Sequence, residues 1–346
     1  ENGDAGPVAG SHGAQCRSFA PEDDGRLTTP SSTMQTDRVA GDLLAPPTGI
    51  RAGEHAGYEG CWIASAAAEI FVAVRPRPRV LAFRRRGGVS PFRAQPDSRS
   101  VGVRTWFMEP EQDSRSHLPA EQPAVFTQTG ALQVTVAALP DPTTALQLRL
   151  RITLDPLDAR VWIEHTFVNH GAGRTLAPWA VMAFPAAGAG FSPFGAWPRA
   201  MQPHRLKSCL FWPTTSPAHP AFELGCHGLG LCFAVPGDPI KVGLKSRAGT
   251  AVHAVGDDWL FSTVAFDSAA RYPEGDGNVT MFYNGRLGAD GLAELEHVGP
   301  LTELPSGGQT SLRQELRLLE NEPLSLGGVD GWVAQARRQI ATEIHT

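Results

Sequence analysis

Two glutamates, Glu294 and Glu296, are the side chains of this chain best placed to do chemistry. They lie in the stretch 292–318, LAELEHVGPLTELPSGGQTSLRQELRL, whose pattern indicates a strand, a proline–glycine turn and a returning strand. Because side chains alternate faces along a strand, both carboxylates project from one face, and Leu295 and His297 project from the other. A sheet face that carries two carboxylates is either solvated surface or a polar binding cleft.

Tryptophans beside charged residues indicate where such a cleft could hold a ligand. Arg104 and Trp106 share a strand face in the segment VRTWFMEPE, and Glu109 follows them; Trp179 stands in a second segment, LAPWAVM. Sugar sites commonly combine a flat ring, which packs on sugar C–H groups, with charged groups that bind hydroxyls. Taken alone, each segment has an alternative interpretation. Trp106 and Trp179 could each be buried in the core, with Arg104 a solvated neighbour of Trp106.

The only lysines are Lys207, Lys241 and Lys245. Lys241 and Lys245, in KVGLK, are four residues apart and share a face if this segment is a strand. On the same sheet face as Glu294 and Glu296 they would form a mixed-charge cleft for hydroxyls or a carboxylate. The equally acceptable alternative is that the lysines protect an edge strand from pairing with another chain.

The histidines lack metal-ligand spacing, and most are expected on the surface or hydrogen-bonded in the core. His204 and His227 lie in Pro-rich and Gly-rich loops, which makes them the better candidates for a general acid. A P-loop, a GxGxxG segment after a strand, HExxH and GxSxG are all missing from the sequence. Nucleotide chemistry, zinc proteolysis and serine hydrolysis are therefore disfavoured.

Composition and charge are typical of a globular protein. The net charge is −5, which argues against nucleic acid or an anionic membrane as partner. No apolar run approaches the roughly 20 residues of a membrane span. Five cysteines without Cys-x-x-Cys spacing favour free thiols in a reducing compartment over a disulfide framework, so the cytoplasm is the expected location.

The chain divides into three parts. Residues 1–55 are rich in Gly, Ala, Pro, Asp and Ser and are expected to be a disordered or loosely draped arm. Residues 56–322 hold short alternating runs between turn signals, which is typical of an antiparallel sandwich or barrel. Residues 323–346 are expected to form a helix packed on this domain, since Val329, Trp332, Val333 and Ala336 follow helical spacing.

Four segments, taken in order, resemble the galactose mutarotase-like superfamily, in a branch related to aldose 1-epimerases. They are APWAVMAFP after FVNHGAGRT, VGLKSRAGTAVHAVGDDWLF, YPEGDGNVTMFYN, and LAELEHVGPLTELPSGG followed by QELRL. The resemblance implies a large antiparallel β-supersandwich that binds sugars on a concave sheet face. It also implies that a carboxylate takes the proton of the anomeric hydroxyl while a histidine protonates the ring oxygen.

Glu296 matches the carboxylate of that superfamily by position, Glu294 is second, and Arg104 matches its early sugar-binding arginine. The chain departs from the pattern at PWAVMAF, where the epimerases carry an Asn-His and this chain has Trp179 and no histidine. The general acid is therefore unassigned.

These features together predict a carbohydrate-active protein that binds a sugar or sugar acid and uses Glu296 as a base, in the manner of an epimerase. The predicted substrate contacts are Arg104, Trp106, Glu109, Trp179, Lys245, Tyr283 and Glu294. No metal and no cofactor are expected, and the expected partner is a small carbohydrate rather than nucleic acid or a membrane. The alternatives are a non-catalytic carbohydrate-binding protein and a structural β-sandwich without a ligand.

Overall fold

The computed structural model describes residues 48–95, 99–110, 116–195, 209–213, 215–320, 322–324 and 327–344. In these ranges the chain forms twenty-one strands, numbered β1 to β21 along the chain, which pair into two antiparallel sheets. The described helices are the short α1 (Pro273–Asp276) and the long α2 (Gly328–Ile344), with 3₁₀ turns at Leu118–Glu121 and Gly288–Asp290.

The first sheet has eleven strands and carries the predicted chemistry. Its hydrogen-bonded order is β1-β2-β3-β4-β5-β10-β19-β18-β15-β12, and β20 pairs with β10 beside this path. The strands are β1 (Gly49–His55), β2 (Tyr58–Ala64), β3 (Ala68–Arg75), β4 (Arg79–Arg85), β5 (Val103–Met108), β10 (Arg174–Phe184), β12 (Cys209–Phe211), β15 (Ile240–Leu244), β18 (Val279–Tyr283), β19 (Ala293–Val298) and β20 (Thr302–Leu304).

The second sheet has ten strands in the order β13-β14-β11-β16-β17-β21-β9-β8-β7-β6. The strands are β6 (Ala124–Gly130), β7 (Gln133–Ala138), β8 (Leu146–Leu154), β9 (Arg160–Asn169), β11 (Ala189–Pro193), β13 (Phe222–Leu224), β14 (Gly228–Cys232), β16 (Thr250–Val255), β17 (Asp258–Val264) and β21 (Gln309–Glu320).

The main core lies between the two sheets and follows from strand alternation. In β8, Leu146, Leu148, Leu150, Ile152 and Leu154 are buried, while the residues between them face outward. The same period-2 rule places one face of every central strand in this core, because each buried aliphatic side chain gains about 1.5–3 kcal/mol from leaving water. The antiparallel β-sandwich predicted from the sequence is confirmed.

Helix α2 covers part of the outer surface of the second sheet. Val329, Trp332, Val333 and Ala336 pack there against a cluster that includes Trp259. Asp330, in the first turn, accepts the backbone N–H groups of Cys226 and His227 at 2.9 and 2.8 Å, which ties the β13–β14 turn to the helix. The C-terminal helix is thus present, as expected.

Two expectations from the sequence need correction. Strand β1 occupies 49–55, so the sheet begins inside the segment expected to be an arm, and residues 1–47 lie outside the described residues. Cys61, Cys209 and Cys226 are free thiols, whereas Cys232 is disulfide-bonded, so the expectation of free thiols is wrong for Cys232. None of the described helices has the length and apolarity to cross a membrane.

Candidate functional site

Strand pairing brings residues from distant parts of the chain into one row of the first sheet. Arg104 of β5 stands opposite Val181, Val181 opposite Glu296, Glu296 opposite Thr280, and Thr280 opposite Gly243. Side chains in such a row project from the same face and contact their cross-strand neighbours.

The rows on either side complete a cluster on the face that points away from the core. One row pairs Trp106 with Trp179, and the other runs from Glu294 through Phe282 to Lys241. We refer to this cluster as the carboxylate face. It consists of Arg104, Trp106, Trp179, Lys241, Thr280, Glu294 and Glu296.

Glu296 is held through one of its two carboxylate oxygens. Its Oε2 accepts hydrogen bonds from Thr280 Oγ1 at 2.5 Å and Trp179 Nε1 at 3.1 Å, and Lys241 Nζ lies 3.3 Å from the same oxygen. Among the described residues, no donor contacts Oε1. The carboxylate is therefore anchored on one side and has an oxygen left to accept a proton or a hydrogen bond.

Glu294 forms a buried ion pair with Arg104. Arg104 Nη2 lies 2.5 Å from Glu294 Oε1, and the guanidinium carbon is 4.5 Å from the centroid of the Trp106 ring. Arg104 Nε and Nη1 and Trp106 Nε1 are buried and have no hydrogen-bond partner among the described residues. Buried donors without acceptors are costly, so three of them in one cluster indicate a place where acceptor oxygens of a ligand or of water belong.

Lys241 supplies the cation next to Glu296 and is enclosed by aromatic rings. Its Nζ lies 5.1 Å from the Trp179 ring centroid and 4.7 Å from that of Trp212, which follows β12. Cation–π contacts of this kind hold an ammonium group in place without neutralising it. Of the two readings left open for the lysines, the structure agrees with a mixed-charge face for Lys241, which pairs with Glu296.

Both carboxylates are withdrawn from solvent. Glu296 is 1% exposed and Glu294 is 8% exposed, whereas the rings of Trp106 and Trp179 are only half-buried. The reading in which Glu294 and Glu296 simply face solvent is therefore wrong. Because a buried charge must be paired, the charges on this face form two ion pairs, one for each carboxylate.

A chain of buried polar side chains lies behind the face, between the two sheets. Thr105 Oγ1 contacts His165 Nδ1 at 2.7 Å, and His165 Nε2 contacts Gln314 Oε1 at 3.0 Å. Gln314 Nε2 donates to Ser262 Oγ at 2.9 Å, which contacts His297 Nε2 at 2.8 Å. This hydrogen-bonded network begins at Thr105, next to Arg104 in β5, and ends at His297, next to Glu296 in β19. It therefore links β5 to β19 through side chains of the second sheet.

The two histidines of this hydrogen-bonded network, His165 and His297, are uncharged. Burial lowers the pKa of His165 to about 4 and that of His297 to about 3. Since the Gln314 carbonyl oxygen can only accept, His165 carries its proton on Nε2, and Thr105 donates to Nδ1. A neutral, directional network of this kind favours one relative position of the strands it joins.

Solved structures of other proteins resemble this chain in fold. A galactose mutarotase-like protein from Clostridium acetobutylicum superposes with a TM-score of 0.51 at 10% sequence identity, over 78% of this chain and 98% of that one. A proposed aldose 1-epimerase from Escherichia coli K12 gives a TM-score of 0.52 at 11% identity, over 79% and 100% of the two chains. This chain has the galactose mutarotase-like fold.

The same fold also occurs within a longer protein. A TPR-domain containing protein from Parabacteroides distasonis matches with a TM-score of 0.53 at 12% identity, over 78% of this chain. The match covers 48% of that protein, so this chain spans about half of its length. No family model and no curated protein matches the sequence. The likeness concerns the fold and does not extend to the chemistry of the carboxylate face.

Besides Glu296, four of the predicted site residues lie together on the carboxylate face. They are Arg104, Trp106, Trp179 and Glu294.

Tyr283 and Lys245 are placed differently. Tyr283 is fully buried on the core side of β18, beside Phe233, and so does not face the site. Lys245 follows β15, and its ammonium lies 5.9 Å from the Phe266 ring centroid, while Lys241 contacts Glu296.

Two further candidates, Glu109 and His227, also lie apart from Glu296. Glu109 follows β5 and pairs with Arg174, with Nε and Oε1 3.7 Å apart. His227 is in the β13–β14 turn of the second sheet, next to α2, and not in the sheet that carries Glu296. His204 lies outside the described residues. His227 therefore does not lie at the carboxylate face and is not placed to act as the predicted general acid.

Sequence reasoning missed three residues that surround the carboxylate face. Thr280 donates to Glu296, Trp212 packs on Lys241, and the half-buried His117 ring lies 6.2 Å from Trp106, centroid to centroid. Thr280 is the polar residue of the strand VTMFY and could have been found from that pattern. Trp212 and His117 lie outside regular strands, where no periodicity predicts which way a side chain points. The described residues contain no group of three or more metal-binding side chains.

Proposed function

We propose that the carboxylate face binds a small sugar or sugar acid and that Glu296 acts as the base that opens its ring, in an aldose 1-epimerase type of reaction. The observation that carries this proposal is the anchoring of Glu296, a buried carboxylate held through Oε2 with Oε1 left without a donor. The half-buried rings of Trp106 and Trp179 offer the surface on which a sugar would pack.

In the proposed reaction, Glu296 Oε1 takes the proton of the anomeric hydroxyl. The electron pair of that O–H bond forms the aldehyde carbonyl while the bond from the anomeric carbon to the ring oxygen breaks. The ring oxygen receives a proton from Lys241, the aldehyde rotates, and closure on its other face reverses the steps. Because the hydroxyl and ring oxygens are bonded to the same carbon, a base and a proton donor that are neighbours can reach both.

A non-catalytic carbohydrate-binding protein is the second candidate. It is favoured by the contacts of Glu296, which among the described residues include no histidine. The catalytic proposal needs Lys241 to take the part of the histidine that the epimerases use, and the binding proposal does not.

Replacing Glu296 with glutamine is expected to lower the catalysed rate of anomer interconversion by about 10²–10⁴-fold, since a general base contributes that much. The rate is followed by NMR over a panel of hexoses and uronic acids. Glu303→Gln, at an exposed position in β20, is the matched control and should keep the wild-type rate. Saturation-transfer NMR on the same panel measures binding.

Three outcomes are distinguishable. Acceleration by the wild type that Glu296→Gln removes supports the epimerase. Binding without acceleration supports the second candidate. If no sugar in the panel binds or is accelerated, the carbohydrate proposal fails altogether.

The role of Lys241 is tested by Lys241→Met, for which we expect a loss of about 10²-fold in kcat with a smaller change in KM, as for other donors at a developing negative charge. Lys241→Arg keeps the charge and should restore part of kcat. Arg247→Met removes one exposed positive charge and serves as control. An unchanged kcat in Lys241→Met would assign the proton donor elsewhere.

A further inference from the structure

The outer surface of the second sheet presents an unusual set of side chains where helix α2 does not cover it. Strands β7, β8, β9 and β21 lie side by side there, and most of their core-facing residues are apolar. We call the outward side of these four strands the arginine face. Its charged residues are Arg149, Arg151, Arg160, Arg313, Arg317, Glu164 and Glu315.

The arginine face is basic on a chain that is acidic. Five arginines and two glutamates project from these strands, which are described throughout, whereas the whole chain has a net charge of −5. A local excess of positive charge on an acidic protein attracts anionic groups to that face in preference to the rest of the surface.

The centre of this face is a depression of about 330 Å³ with an aromatic residue in its lining. Trp162 is held in place there by a hydrogen bond from its Nε1 to Glu315 Oε2 at 3.0 Å. Beside it, Gln133 Nε2 donates to Thr153 Oγ1 at 2.7 Å. Because these side chains are already fixed by one another, a ligand would meet a rigid surface and less conformational entropy would be lost on binding.

Arg313 is the cation in this depression that remains available. Its cross-strand neighbour Glu164 forms an ion pair with Arg151 on its other side. Arg313 is exposed and, within the described part of the chain, makes neither a hydrogen bond nor an ion pair. A guanidinium in this state can bind a carboxylate through two parallel hydrogen bonds.

We propose that the arginine face binds an acidic polysaccharide, with a sugar ring packed on Trp162 and the carboxylate of that or an adjacent unit paired with Arg313. Nucleic acid fits less well, because even a single strand carries one negative charge per about 3.4 Å and would bring phosphates against Glu164 and Glu315. A polyuronide has one carboxylate per sugar and can place its neutral hydroxyls there. The proposal concerns the opposite sheet from Glu296 and does not depend on the proposed function.

The test uses native gel electrophoresis of the full chain in gels that contain polygalacturonate, neutral dextran or a single-stranded oligonucleotide. Polygalacturonate should retard the protein, and dextran should not. Arg313→Ala should raise the dissociation constant for polygalacturonate about tenfold, as expected for a lost charge-assisted hydrogen bond. Trp162→Ala should weaken binding as well, and Trp162→Phe should keep most of it.

Arg51→Ala is the matched control, since it removes an exposed arginine from β1 in the first sheet. The proposal is overturned if Arg313→Ala and Arg51→Ala weaken binding equally, because that reports general attraction to a polyanion. It is also overturned if polygalacturonate causes no retardation, or if the oligonucleotide binds more tightly. Arg313 is exposed, so its replacement keeps the protein folded, and thermal unfolding of each variant checks this.

Discussion

Replacing Arg104 with methionine is expected to destabilise the protein by about 3–5 kcal/mol, because it leaves the carboxylate of Glu294 buried without its partner. Arg104 is 2% exposed and Glu294 is 8% exposed, so water cannot take over the role of the guanidinium without rearrangement of the face. The free energy of unfolding is measured in urea at pH 7, where the ion pair is intact in the wild type.

The double variant Arg104→Met/Glu294→Leu separates the ion pair from the packing of Arg104 on Trp106. Replacing both partners of a buried pair with apolar residues of similar size is often close to neutral, so the double variant should recover most of the loss. Arg51→Met, at an exposed position, should change the free energy of unfolding by less than about 0.5 kcal/mol. A cost below about 1 kcal/mol for Arg104→Met would mean that Glu294 finds another donor or reaches water.

Within a single strand, the sequence predicts which side chains of the carboxylate face project from the same side. The spacing of Glu294 and Glu296 predicts a shared face, and so does that of Arg104 and Trp106, because alternation is a local property of extended backbone. That these two strands lie on either side of β10, with Trp179 between them, depends on pairings across 77 residues (Arg104 with Val181) and 115 residues (Val181 with Glu296). The resemblance in the order of the segments supplied that information, and periodicity did not.

The errors in the predicted site have a common physical origin. In VTMFY, Thr280 marks the outward face, and alternation places Phe282 beside it and Tyr283 on the core face, so the hydroxyl of Tyr283 is a poorer guide to its orientation than the strand period. In KVGLK the two lysines share a face, but β15 ends at Leu244, and the chain turns before Lys245 can reach Glu296. Polar residues in the core, such as His165 and Gln314, were missed as a network because each lies on a different strand.

Three buried histidines, His165, His253 and His297, make the fold sensitive to acid. Lowering the pH from 7 to 5 is expected to reduce the free energy of unfolding by about 5 kcal/mol through three histidines alone. Burial lowers the pKa of His165 and His253 to about 4 and that of His297 to about 3, from 6.5 in an exposed histidine. Between pH 6.5 and 4 the unfolded chain therefore binds protons that the folded chain excludes, and stability is lost as the pH falls.

His253→Phe tests this account because it removes one titrating group while keeping its contacts. The His253 ring stacks on Phe184 with 4.0 Å between centroids, so a phenyl ring fills the same space. Each buried histidine contributes about 1.4 kcal/mol per pH unit in this window, and the variant should lose about a third of the slope of unfolding free energy against pH. His170→Asn, which replaces an exposed histidine, is the control for substitution at a surface position. If His253→Phe and the wild type have equal slopes between pH 6.5 and 5, buried neutral histidines are not the origin of the acid sensitivity.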